Sequence, residues 1–400
     1  MPIYCLSIVF LVIVAVLWLK RPLYMAIISG IIASILLFQI PFPTALEVLA
    51  RQSIARDTID VLLSFYFVTF LQKMLEKRDR LKEAQRAFNS LLRNRRLNAA
   101  LSPAILGLLP SAAVMTVCTG MVDQTCADAL DKRDKMLVAC YYRHIPEMFL
   151  PTFSPVLLAL TLSGAKAGLF VCGMLPMVLV ACLLPYFVYL RRLPAEMPSA
   201  EGRRSQEALC LVKNLWPLAA VVLIIIFFDL SVCIAAPLVI LADYVAERFR
   251  VQELPGLLRD AVEPILLGNM YLIMLFKGII THTGVVSMLP EFFSLFPIPI
   301  TMSFALIFFV GTVVSGSQAM IALCLPMAMA AIPTGGLPLL IMLMSIAWAA
   351  MQISPTHVCS FVAADYFKTT LGDLVIRALP IVVVFSVIAY VYGQLLTLIL

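Results

Sequence analysis

The stretch Tyr141-Tyr142-Arg143-His144-Ile145-Pro146-Glu147 places a base, an imidazole and an acid inside an apolar run. On a helix Arg143 and Glu147 stand one turn apart, so they can pair and neutralise each other. Charges at such depth usually face a bundle interior or a cavity. Two readings stand for them: they hold a substrate or relay a proton, or they form a structural ion pair with His144 packed alongside. His357 lies in Ser354-Pro355-Thr356-His357. An imidazole titrates near neutral pH, so His357 is either a proton-coupling group or a hydrogen-bonded packing residue. Asp123 reads as a cytoplasmic gate, a proton site or a solvated acid, and Asp365 is open in the same way. Nothing in its surroundings argues for His282.

These groups need elements that carry them below a membrane surface. Hydrophobic residues are 62% of the 400 and charged ones 13%, with mean hydropathy +1.01, the composition of a polytopic membrane protein and not of a soluble core. Met1 to Leu19 lacks a basic leader and a small-residue cleavage site, so it reads as the first span and not as a removable signal peptide. The ten cysteines are scattered through apolar runs, with no CxxC and no Cys/His cluster. They read as reduced packing residues, and no metal site is expected. The net charge is +6, but the basic residues border spans and form no patch, which argues against a nucleic-acid partner.

Two runs, Ala99 to Met121 and Gly311 to Ala331, are each broken near the middle by a small tip: Pro110-Ser111-Ala112-Ala113 and Ser315-Gly316-Ser317-Gln318. Half of such a run, 11 residues, rises about 16 Å as a helix, about half of a ~30 Å hydrocarbon core. Each therefore reads as a re-entrant hairpin of two half-length helices, over 99–122 and 300–333. Prolines then interrupt the spans 136–162 and 337–361. Proline removes a hydrogen bond and clashes with the preceding turn. Unwinding is expected from Leu150 to Pro155, which includes Pro151, Thr152 and Ser154, and from Ser354 to His357, which includes Pro355 and Thr356. Unpaired backbone at that depth is tolerated only within protein or beside a watery cavity, and it is where secondary transporters hold solutes and ions.

The candidate binding residues are thus Pro110, Ser111, Ala112, Pro151, Thr152, Ser154, Ser315, Gly316, Ser317, Gln318, Ser354, Pro355, Thr356 and His357. Asp123, Arg143, His144, Glu147 and Asp365 are the candidates for coupling or gating. Carbonyls in the breaks can ligate Na⁺, and half-helix N-termini offer partial positive charge to an anion. The alternative for the serines and glycines is close helix packing.

A shift of 204 residues pairs Gly107 with Gly311, Ser111 with Ser315, Pro151 with Pro355, Thr152 with Thr356, Pro176 with Pro380 and Tyr186 with Tyr390. The expected architecture is an all-α polytopic membrane protein of two inverted repeats, 1–190 and 214–400. Each repeat has five transmembrane helices and one hairpin, and 191–213 is a cytoplasmic linker. The first three spans of the two halves follow no single register. With both termini outside, only Arg51, Arg56, Lys166 and Lys277 of the 29 Lys and Arg fall on the outer side, as the positive-inside rule requires.

LGLLPSAAVMTVCTGMVD, YYRHIPEMFLPTFSPV, GTVVSGSQAMIALCLP and SPTHVCSFVAADYFK together resemble the ion transporter superfamily, which includes dicarboxylate, citrate, gluconate, arsenite and Na⁺/H⁺ carriers. The last three are most similar to a prokaryotic member family left as a domain of unknown function. The resemblance implies a secondary carrier in the inner membrane, often dimeric. It would move a small anionic organic solute coupled to Na⁺ or H⁺, with no other cofactor and with lipid around it. A lipid flippase or scramblase on the same scaffold is the alternative. An intramembrane hydrolase is weaker, since HExxH and GxSxG are both absent.

Overall fold

The computed structural model describes residues 2–19, 21–91, 94–108, 113–195, 204–288, 291, 297–355 and 357–399. Among them the chain is helical throughout, with no strand. The first part runs α1 (Pro2–Trp18), α2 (Leu23–Leu37), α3 (Phe42–Ser53), α4 (Arg56–Lys77), α5 (Arg80–Leu91), α6 (Arg95–Leu106), α7 (Ala113–Cys126), α8 (Lys132–Arg143), α9 (Ser154–Ser163) and α10 (Ala167–Val188). The second runs α11 (Arg204–Phe228), α12 (Val232–Ala246), α13 (Leu254–Asp260), α14 (Pro264–His282), α15 (Ile300–Ser315), α16 (Ser317–Ala331), α17 (Gly336–Met351), α18 (Val358–Phe367) and α19 (Leu371–Ile399). Among the described residues five helices are long and apolar enough to cross a membrane: α4, α10, α11 from Ser205, α14 and α19. Eight shorter apolar helices accompany them, α9 and α15 to α18 included.

Both expected apolar runs are divided between two helices. In the first, α6 ends at Leu106 with Gly107 as its C-cap and α7 begins at Ala113, and α6 begins at Arg95, ahead of the expected start. There Asn94 caps the helix by accepting from the Arg96 and Leu97 backbone N–H groups. In the second, Gly316 takes φ +86, a conformation that β-carbon sterics deny to most residues, so α15 stops and α16 starts there. The span expected at 136–162 breaks earlier than its prolines suggest. Its α-helix ends at Arg143, a 3₁₀ turn covers Pro146–Met148, and α9 begins at Ser154. Pro155 starts α9 instead of breaking it, because proline suits a first helical turn. In the span 337–361 the helix ends at Met351 and resumes at Val358.

The later helices recur at a fixed distance in sequence. Starts at 113, 132, 154 and 167 (α7 to α10) are followed by starts at 317, 336, 358 and 371 (α16 to α19), each 204 later. Their C-caps match as well: Gly164 after α9 and Lys368 after α18 are both left-handed, at φ +67 and +54. The early helices keep a different distance. The starts of α2 and α12 are 23 and 232, 209 apart, and those of α4 and α14 are 56 and 264, 208 apart. Gln39 and Arg248, the residues that turn the chain after α2 and α12, are also 209 apart, at φ +53 and +50.

Packing exchanges partners under the same correspondence. α9 packs on α16 and α18 on α7; α10 packs on α17 and α19 on α8; α2 packs on α14 and α12 on α4. α8 and α17 form the interior, since Asp134 to Arg143 and Pro338 to Met351 are buried without interruption. Lipid gives helices no hydrophobic drive to associate, so close approach through small residues matters. A β-carbon on Gly107 would lie 1.9 Å from the Arg143 carbonyl oxygen, and one on Gly311 would lie 2.3 Å from Met320 Sδ.

Candidate functional site

The α15–α16 turn and the α17–α18 break open on one cavity of about 590 Å³. Ser315, Gly316, Ser317 and Gln318 line it from the turn, and Ser354, Pro355 and His357 from the break. Arg21, between α1 and α2, adds a cation to its wall. Neither α16 nor α18 has a side-chain N-cap: Gly316 and His357 occupy those positions without a capping bond. The first N–H groups of a helix have no partner inside it, so both termini direct donors and partial positive charge towards the break region. Ser354 is held in place because its hydroxyl donates to the Val313 carbonyl at 2.8 Å, which ties the break to the end of α15. Thr312 Oγ1 and Gln352 Nε2, on the flanking helix ends, are buried with no hydrogen-bond partner among the described residues.

The α8–α9 break meets this region from the other half. Arg143 and Glu147 pair at 3.0 Å, Arg143 from the last turn of α8 and Glu147 from the 3₁₀ turn beyond it. The expected pairing is present, though it spans the end of a helix and not its middle. Glu147 and Ser317 line a common narrow crevice, so the acid approaches the turn at Gly316. His144 caps α8 and is fully buried. Its Nε2 lies 2.7 Å from Nε2 of His357, and the rings are edge to face with centroids 4.4 Å apart. Trp348 Nε1 donates to the His144 carbonyl oxygen at 2.7 Å, and the Trp348 indole packs edge-on against Tyr141.

Other candidates fall elsewhere. Pro151 and Thr152 are buried and Ser154 half-buried, but none lines the cavity. Asp123 pairs with Lys135 at 2.7 Å and lines neither the cavity nor the crevice beside Glu147. Asp365 is an exposed carboxylate paired with exposed Lys368, which fits the solvated reading. Pro110, Ser111, Ala112 and Thr356 lie outside the described residues.

Sequence reasoning missed three groups: Arg21, Trp348 and Cys359. Trp348 had a signal, since the shift of 204 carries His144 onto it. Cys359 joins His144 and His357 in a cluster whose ligand atoms lie within 4.8 Å of one another. No sequence spacing marks this grouping: the three residues meet because two chain breaks meet.

An interior of buried helices, five helices able to span, and interrupted helices around a polar cavity define a helical membrane protein. Residues 3–396 match the family described as protein of unknown function, DUF401, and the chain belongs to that family. No curated protein matches it.

Proposed function

We propose that this chain is a secondary active transporter for a small organic anion, built from two inverted repeats and driven by Na⁺ or H⁺, as the resemblance to the ion transporter superfamily implies. The observation that carries the reading is the cavity where Ser315 to Gln318 face Ser354 and His357 beneath two uncapped helix N-termini. Broken helices around a central polar site are how membrane carriers hold anions without a full buried charge. Arg21 supplies the formal cation, and the Gln318 amide and the serine hydroxyls supply oriented donors.

The repeat reading draws on the common 204-residue spacing of four helix starts and on the exchanged packing partners. With the N-terminus outside the inner membrane, the breaks lie near mid-depth and the basic segments face the cytoplasm. Alternating access then needs the units carrying α15–α18 and α6–α9 to move against the remaining helices. Purified protein in liposomes tests the proposal. Flux of at least one organic anion under an imposed Na⁺ or H⁺ gradient is expected, and Ser315→Leu should abolish it without unfolding the chain. Absence of flux for every anion tried, or undiminished flux in the variant, would count against the cavity as the transport site.

A further inference from the structure

His144 closes α8, His357 opens α18, and Cys359 sits in the first turn of α18, so three ligand types converge where the two breaks touch. His144 Nδ1 lies 2.5 Å from the Cys140 carbonyl oxygen. A carbonyl oxygen only accepts, so Nδ1 carries the proton and Nε2 presents its lone pair to His357. A carbonyl holding one imidazole nitrogen so that the other is free is the support that metal-binding histidines ordinarily have. Two imidazole nitrogens and one sulfur suit a borderline-soft d¹⁰ cation such as Zn²⁺. They do not suit Mg²⁺ or Ca²⁺, which take oxygen ligands.

We infer that His144, His357 and Cys359 form a binding site for Zn²⁺ or an ion of like softness, separate from the transport reading above. Tetrahedral coordination sets the nitrogens about 3.3 Å apart and each about 3.6 Å from the sulfur. The imidazoles must therefore part slightly from 2.7 Å, and all three ligand atoms already lie within 4.8 Å of one another. On binding, the Cys359 thiol gives its proton to water and its thiolate takes the metal, while the proton that His357 Nε2 donates to His144 passes to His357 Nδ1, which frees both Nε2 atoms as ligands and leaves one net positive charge beside the mutually neutralised Arg143 and Glu147. His144 and Cys359 are buried while His357 lines the cavity, which leaves the fourth position on the cavity side for water or a solute oxygen. A bound ion would join the end of α8 to the start of α18 and hold the two breaks together.

The test titrates the full chain, in detergent and with any affinity tag removed, with Co²⁺ and then displaces it with Zn²⁺. One cobalt per chain with thiolate-to-cobalt charge-transfer absorption is expected. That absorption should vanish in Cys359→Ala, and His357→Gln should weaken binding by about tenfold or more. Absence of the charge-transfer band in the natural chain, or its persistence in Cys359→Ala, would overturn the inference. Neither readout involves transport, so it stands or falls independently of the proposed function.

Discussion

The two broken spans share a frame and differ in chemistry. Shifted by 204, Arg143, His144 and Glu147 fall on Ala347, Trp348 and Met351. One break thus carries an ion pair and an imidazole, and the other carries apolar and aromatic groups at the same positions. Both sets are closed in, yet only the second break opens on the large cavity, with Ser354, Pro355 and His357 on its wall. His144 and Trp348 also touch each other directly, through the indole N–H and the His144 carbonyl. Two positions related by the shift thus meet in space. The lesson is a division of labour: helix starts and C-caps recur at one spacing, while the Arg143–Glu147 pair stands at one break and the wall of the cavity is built from the other together with Arg21.

The largest expected effect separates the two breaks by removing one matched residue from each. Glu147→Ala takes the carboxylate from buried Arg143 and should cost about 3–5 kcal/mol, as breaking a buried pair does. Met351→Leu preserves volume and should cost less than about 1.5 kcal/mol. Denaturant unfolding in micelles measures both, and equal costs would erase the proposed asymmetry.

A smaller effect probes the shared frame at its matched C-caps. Gly164→Ala meets nothing within 4 Å but must adopt φ +67, so the conformational penalty alone should destabilise by about 1 kcal/mol. Lys368→Gly relieves the same conformation and should stabilise by up to about 1 kcal/mol, because the exposed pair with Asp365 contributes little. Opposite signs in thermal unfolding would confirm that the two caps are equivalent; matching signs would not.

Much of this frame was legible because its causes are local. Gly316 and its serines mark the turn between α15 and α16, and Pro355 lies within the gap between Met351 and Val358. Arg143 and Glu147 were legible as a pair by spacing alone. The start of the α8–α9 gap was not, because the chain leaves the helix at His144, before the prolines that drew attention to Pro151 and Pro155. The early helices resisted a single register because their spacing is 208 to 209 and not 204, which a loop-length difference produces without changing the elements. The contact between His144 and His357 joins residues 213 apart in different helices, and no periodicity encodes it. Asp365 was open by sequence alone, because its position after a broken span does not say which way the side chain faces; the fold turns it outward.

The proposed inverted arrangement is tested by labelling single cysteines, in a cysteine-free chain, with a membrane-impermeant thiol reagent. Gln39 and Arg248 are both exposed, each turns the chain after its helix with positive φ, and they are 209 apart. Gln39→Cys should react only from outside intact cells and Arg248→Cys only from the cytoplasmic face of inverted vesicles. Reaction of both from the same side would contradict two oppositely oriented copies.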